Sequence, residues 1–178
     1  TAHIYSDTIG EWVSALGYKG ILAGATVHSL GWKSPDMLYY ANGSPRLKLL
    51  LRHNALSDDI AFRFGNTSWP AYPLNANKFL QWLQALPVNH PLVNLYLNYE
   101  TLGEHQKKQR GIFAFFTRLV NELINSNMRF ITPAEATDML QPVASLPVPY
   151  PVSSADEEQD ISAWLANDMQ KEAFEKLY

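Results

Sequence analysis

The sequence of 178 residues contains no cysteine. Disulfide bonds, thiolate metal sites and cysteine nucleophiles are therefore all excluded. Basic charge is also scarce, since 14 lysines and arginines stand against 17 acidic residues, for a formal net charge of −3. Without a basic stripe, a nucleic acid is not an expected partner. A glycine-rich phosphate cradle is missing as well, which argues against a phosphate as the bound group.

Long apolar runs are also missing. No stretch approaches the ~20 residues that a helix needs to cross a bilayer, so no membrane partner is expected. Residues 1–5 read as the end of a strand, and the first of them is Thr1 and not methionine. We therefore expect that residues are missing upstream. A cytoplasmic location is expected.

The composition that remains is typical of a globular protein, with 47% hydrophobic and 17% charged residues. The pattern of apolar residues predicts helices and strands in alternation, which favours a parallel α/β sheet or barrel. Four visible strands are too few to close a parallel barrel. Helices are expected near residues 7–16, 77–86, 111–126, 133–140 and 157–177, and strands near residues 19–23, 47–51, 92–97 and 130–131.

The most informative stretch is 92–106. A β-prone apolar run ends abruptly at Asn98-Tyr99-Glu100, and a turn with Glu104, His105 and Gln106 follows. Polar groups at the carboxyl end of a buried strand are where α/β enzymes place their chemistry. A tyrosine beside a carboxylate, without a basic cluster, suits a sugar better than a phosphate.

Three blocks of the sequence together resemble glycoside hydrolase family 57, in particular its α-amylase-like branch. The block 98–106 is similar to the DYETFGEHQ motif of that family, with an asparagine in place of the aspartate. The other two blocks are residues 20–35 with 56–64, and residues 154–165, which resemble the last motif of the family.

The resemblance implies the C-terminal part of an incomplete (β/α)7 barrel with parallel strands. Residues 1–141 would form this partial catalytic-type barrel. Residues 142–178 would form a proline-rich tether and a C-terminal amphipathic helix packed on the barrel. Because half a barrel leaves strand edges and apolar surface bare, we expect a missing N-terminal segment or an oligomer contact to cover them.

The resemblance also implies a retaining mechanism that uses two carboxylates about 5 Å apart. Residues 1–5 align with the TELIY part of the nucleophile motif, so Ala2 occupies the position of the nucleophile. Asn98 occupies the position of the general acid/base. Alanine offers no nucleophile, and an amide cannot protonate a glycosidic oxygen. Glu100 is a possible substitute, because residues two apart on a regular strand point to the same side.

Further residues are candidates for substrate binding. Trp32 and Trp164 could stack on glucose rings, while Trp12 and Trp82 fit apolar helical faces and are expected in the core. The remaining candidates are Asp59, Tyr99 and His105. Structural alternatives stay open: Trp164 could pack in the core, Ser57-Asp58 could cap a helical turn, and His105 could lie at a helix terminus or be buried.

The five histidines lack ligand spacing, so neither a metal site nor another cofactor is expected. The leading hypothesis is an α-amylase-like protein that binds an α-glucan or maltooligosaccharide but is catalytically impaired. The alternatives are an active retaining α-glucan hydrolase and a structural or partner-binding fragment that does not bind sugar.

Overall fold

The computed structural model describes residues 3–24, 26–153 and 160–177, and its fold is mixed α/β. The chain divides into two compact units. Unit 1 comprises Thr1–Arg52 with Pro133–Tyr178, and unit 2 comprises His53–Thr132. No helix in the described ranges combines the length and the apolar character that crossing a membrane requires.

Unit 1 is built on a four-stranded sheet with the order β1-β3-β2-β4. Its strands are β1 Gly20–Ala23, β2 Tyr39–Ala41, β3 Ser44–Leu51 and β4 Ala144–Leu146. The β1–β3 and β2–β4 pairings are parallel, as expected, whereas β2 and β3 form an antiparallel pair. The turn between β2 and β3 contains Gly43 at φ 71°, and its Asn-Gly sequence is typical of a hairpin.

Two helices of unit 1 begin where the sequence predicts. Helix α1, Asp7–Ala15, is capped by the Ser6 hydroxyl, which accepts a hydrogen bond from the Ile9 amide at 3.4 Å. Helix α6, Pro133–Met139, begins at its proline, whose missing N–H costs nothing in the first turn. A short helix α2, Val27–Leu30, lies between β1 and β2.

The proline-rich segment contributes directly to unit 1. It contains β4, and both Leu146 and Val148 are buried. The Asp7 carboxylate accepts a hydrogen bond from the Val148 amide at 2.9 Å, and Tyr5 forms an antiparallel bridge with Val152. These contacts attach the segment to α1 and to the sheet. The predicted domain boundary between residues 141 and 142 stays a prediction.

The prediction of one long C-terminal helix was wrong for the residues described. Two short helices are present, α7 Ser162–Leu165 and α8 Asp168–Glu175, and none of their residues is buried. Asn167 separates them, because its side chain caps α8 and forms a capping box with Gln170. Residues 157–159 of the predicted helix lie outside the described residues.

Unit 2 is helical and is held together by aromatic rings. It contains α3 Asn54–Asp58, a π-helix Asp59–Arg63, α4 Ala76–Gln84, 3₁₀ helices Tyr99–Thr101 and Lys108–Arg110, and α5 Ile112–Ile124. The core between α4 and α5 includes Phe79 and Phe115, whose ring centroids are 5.9 Å apart in an edge-to-face arrangement. Such pairs add to the stabilisation from burying the rings.

The strand predicted over residues 92–97 was wrong, and so was the one over 130–131. The run from Leu92 is extended, but its backbone is bonded to the region of α3. The His53 amide donates to the Asn94 carbonyl at 2.9 Å, and the Tyr96 amide donates to the Ser57 hydroxyl at 3.2 Å. Leu92 is buried, so the apolar pattern indicates burial correctly without a strand.

Candidate functional site

Residues 98–106 form a compact loop in unit 2, here named the motif loop. Asn98 has an extended backbone (φ −66°, ψ 144°) and leads into the 3₁₀ helix Tyr99–Thr101. The loop closes on itself through a hydrogen bond of 3.0 Å from the His105 amide to the Glu100 carbonyl. Gly103 adopts φ 105°, a conformation that favours glycine, at the turn.

The motif loop buries two polar side chains and exposes the others. Thr101 and Gln106 are only 2% and 4% exposed. The exposed side chains are those of Asn98, Tyr99, Glu100, Glu104 and His105. Four of the residues that the sequence selects, Asn98, Tyr99, Glu100 and His105, therefore lie on one solvent-facing loop, and two buried residues anchor that loop.

The prediction that Asn98 and Glu100 lie on one side of a regular strand was wrong. Glu100 lies inside a 3₁₀ helix, where residues three apart, not two apart, align. Glu100 nevertheless remains exposed on the same loop as Asn98. Its role as a substitute catalyst stays a prediction.

Asp59 is the first residue of the π-helix and pairs with Arg63. The Arg63 Nη1 atom lies 2.5 Å from Asp59 Oδ1, and the Asp59 side chain is only 14% exposed. This ion pair joins residues four apart, one turn of the helix. Sugar binding by Asp59 stays a prediction.

The tryptophan candidates lie in unit 1. Trp32 follows α2 and is 93% exposed, whereas Trp164 in α7 is 42% exposed. Trp12 is 64% exposed, so its predicted core position was wrong. Helix α1 buries only Gly10 completely, and it packs Ile9 and Val13, both partly buried, against the core of unit 1. Trp82 of unit 2 packs partly buried against its aromatic core, as expected.

The position aligned with the nucleophile, Ala2, lies outside the described residues. Tyr96, two residues before Asn98, is a half-buried phenol. Burial raises the pKa of Tyr96 above its ordinary value of 10.0, so this group stays protonated and neutral near pH 7. Within the described part of the chain, no three His, Asp or Glu side chains gather in a way that could hold a metal ion.

Sequence reasoning missed Gln106 as a residue that builds this site. Its side chain Nε2 donates a hydrogen bond of 2.9 Å to the carbonyl of Ala61 in the π-helix. The two residues belong to different blocks of the family resemblance, and this bond joins those blocks within unit 2. The signal available in the sequence was only its place as the last residue of the motif.

Comparison with known proteins gives two matches. The model of Glycosyl hydrolase family 57 matches residues 1–149. A Methanocaldococcus jannaschii protein described as "Putative alpha-amylase" is 40% identical over 180 aligned residues, which cover 99% of this chain and 38% of that protein. No solved structure matches.

The chain belongs to glycosyl hydrolase family 57, and its resemblance to the α-amylase-like members is confirmed. It spans 38% of the length of the relative that it matches.

Proposed function

We propose that this chain is part of an α-amylase-like protein that binds an α-glucan and whose hydrolytic chemistry is impaired. The observation that carries the proposal is Asn98, an exposed amide at the start of the motif loop, where the family motif has its acid/base aspartate. An amide can hydrogen-bond a glycosidic oxygen but has no proton to transfer at neutral pH. Loss of a positioned acid/base alone lowers a rate by about 10²–10⁴.

The alanine at position 2 supports the same proposal. A retaining hydrolase needs a carboxylate nucleophile as well as the acid/base, since the first step forms a covalent glycosyl intermediate. Alanine has no atom that can attack the anomeric carbon. With both functions absent, double displacement is not expected to be measurable.

Two observations support retained sugar binding. Tyr99 and Trp32 expose 89% and 93% of their surface, and flat aromatic faces complement the C–H faces of pyranose rings. The name of the related protein points to an α-glucan as the ligand class. We also propose that the chain forms part of an incomplete (β/α)7 barrel and that the protein is cytoplasmic, as expected from the sequence.

Calorimetric titration with maltoheptaose tests the binding. Trp32→Ala and Tyr99→Ala are each expected to weaken the affinity for maltoheptaose about twofold to tenfold, because each removes one ring that stacks on the sugar. Trp12→Ala is the matched control, because Trp12 is also exposed but has no proposed role. Absence of heat with the unsubstituted protein at millimolar maltoheptaose would overturn the proposal in favour of a structural or partner-binding fragment.

Release of reducing sugar from amylose tests the impairment, with the natural polypeptide that contains this chain. The unsubstituted protein is expected to be inactive. The double variant Ala2→Glu with Asn98→Asp is expected to gain activity, and neither single variant is. Asn89→Asp, at another exposed asparagine of unit 2, serves as the charge control.

An active hydrolase is the second candidate function. It is favoured by Glu100, an exposed carboxylate on the motif loop, and by the α-amylase description of the related protein. Clear sugar release by the unsubstituted protein that Glu100→Gln abolishes would establish this candidate. The same result would contradict the proposed impairment.

A further inference from the structure

We infer that Gln106 is a positioning residue, whose side chain holds the motif loop on the π-helix in the shape that presents Asn98 and Tyr99 to a sugar. The part of this inference that concerns sugar rests on the proposed function. The part that concerns loop order does not.

Gln106 makes one hydrogen bond to the π-helix that supports the loop and two within the loop itself. Its side-chain Nε2 donates to the Ala61 carbonyl at 2.9 Å. Its backbone amide donates to the Thr101 carbonyl, and its carbonyl accepts from the Gly103 amide, both at 3.0 Å. One residue therefore links the 3₁₀ helix, the turn at Gly103 and the π-helix.

The side-chain bond of Gln106 is buried, which increases its importance. Gln106 is 4% exposed and Ala61 is 5% exposed, so water cannot readily replace either partner. If the bond is lost, the Ala61 carbonyl is left buried without this partner, and the desolvation penalty of that carbonyl is no longer offset. π-helices of a single turn are rare and often occur at functional sites, in accordance with a role in shaping this loop.

Gly65 provides the space that the Gln106 amide needs. A Cβ atom at position 65 would lie 2.8 Å from Gln106 Oε1 and would also collide with the Arg110 guanidinium. Oε1 is buried and has no hydrogen-bond partner among the described residues. The amide therefore acts only through its Nε2 donor.

This dependence on one donor leads to a specific test. In Gln106→Glu the shape is preserved, but a carboxylate would oppose the Ala61 carbonyl oxygen, and both groups are acceptors. Only the protonated carboxyl can donate a hydrogen bond. Burial raises the pKa of such a group, whereas the Arg110 guanidinium, which lies beside the same position at Gly65, lowers it and favours the carboxylate at neutral pH. The variant is therefore expected to lose loop order at neutral pH and to recover it as the pH falls towards 4.

Amide hydrogen exchange measures the loop order. At pH 7 the protection factors of residues 103, 105 and 106 are expected to fall about tenfold in Gln106→Glu, while those of α4 and α5 stay unchanged. Gln109→Glu is the matched control, since Gln109 is exposed and lies three residues further along. Unchanged protection in the loop, or an equal loss throughout unit 2, would overturn the inference.

The affinity for maltoheptaose gives the second readout. Binding by Gln106→Glu is expected to be about tenfold weaker than that of the unsubstituted protein at pH 7 and to approach it near pH 4. A disordered loop with unchanged affinity would overturn the positioning of sugar contacts. If the unsubstituted protein binds no sugar, the proposed function fails, whereas the exchange data still decide the role of Gln106 in the loop.

Gly65→Ala provides an independent variant in case Gln106→Glu does not fold. It leaves Gln106 in place and crowds Oε1, so the same loss of protection confined to the loop is expected, without recovery at low pH. Normal loop protection in Gly65→Ala would contradict the inference.

Discussion

The two units of this protein are stabilised in different ways. Unit 1 joins distant parts of the chain, since β2 near residue 40 pairs with β4 near residue 145. Unit 2 is one continuous segment, and aromatic rings from α4 and α5 form its core. Unit 1 combines the directional hydrogen bonds of its sheet with a core of mainly aliphatic side chains, whereas the core of unit 2 contains several aromatic rings that contact each other. The loss of one large ring should therefore be most costly in unit 2, and the loss of a polar partner of the sheet should affect unit 1.

The largest effect is expected for Phe79→Ala in unit 2. Phe79 is fully buried and contacts the rings of Phe115 and Trp82, so its removal leaves a cavity. The free energy of unfolding should fall by about 3–5 kcal/mol, measured by urea denaturation. Val88→Ala, at a fully exposed position, should change it by less than about 0.5 kcal/mol. A loss below about 1 kcal/mol for Phe79→Ala would show that the aromatic core is not the main support of unit 2.

The second prediction concerns Lys48→Met in unit 1. The Lys48 ammonium, on β3, donates hydrogen bonds to the carbonyls of Thr137 and Leu140 at the end of α6. Because the donor is charged and half-buried, we expect a loss of about 1.5–3 kcal/mol in the free energy of unfolding.

Lys19→Met is the matched control for Lys48→Met. Lys19 also contacts α6, through an exposed ion pair of 3.0 Å with Asp138, which should contribute less than about 1 kcal/mol. Equal losses for the two lysine variants would refute the assigned role of Lys48.

The third prediction tests the packing of α6 on β1. A Cβ atom at Gly20 would lie 2.5 Å from Cγ2 of Thr137, so Gly20→Ala should cost about 1–3 kcal/mol. Thr137→Ser removes that methyl group and keeps the hydroxyl that donates to the Ala134 carbonyl. Thermal unfolding of the double variant should recover much of the loss. Additive losses would mean that the two residues do not touch in solution.

The smallest effects are expected at two helix caps. The Asn75 side chain accepts from the Lys78 amide at 2.9 Å in unit 2, and the Ser6 hydroxyl accepts from the Ile9 amide at 3.4 Å in unit 1. Asn75→Ala should cost about 1 kcal/mol in the free energy of unfolding, and Ser6→Ala should cost less because its bond is longer. A larger loss for Ser6→Ala in chemical denaturation would reverse this order.

The helices could be predicted from the sequence because their signals are local. The ranges predicted near residues 7–16, 77–86, 111–126 and 133–140 each contain a helix, with Ser6 capping the first and Pro133 beginning the last. The strands were harder to predict from the sequence. β2 and β4 are three residues long, and their apolar patterns do not reveal their partners. The run from Leu92 has the composition of a strand, but its Tyr96 amide donates to the Ser57 hydroxyl and its Asn94 carbonyl accepts from the His53 amide.

The candidate site was predictable in its composition but not in its geometry. The residue types of the motif loop suggest sugar chemistry, and the substitution at Asn98 is visible directly in the sequence. The loop conformation, its exposed side chains and its support by Gln106 depend on Ala61, which lies 45 residues earlier in the chain. No local pattern encodes that contact.

By itself, the sequence determined the family, the positions of the main helices and the absence of an acid at position 98, because each depends on residue identity or on neighbours within a few turns. Only the tertiary structure decided which strands pair and which polar residues of the motif are buried. Such outcomes depend on hydrogen bonds and burial between residues that are far apart in the chain. They are decided only when distant segments meet and most of their buried polar groups find partners in one another.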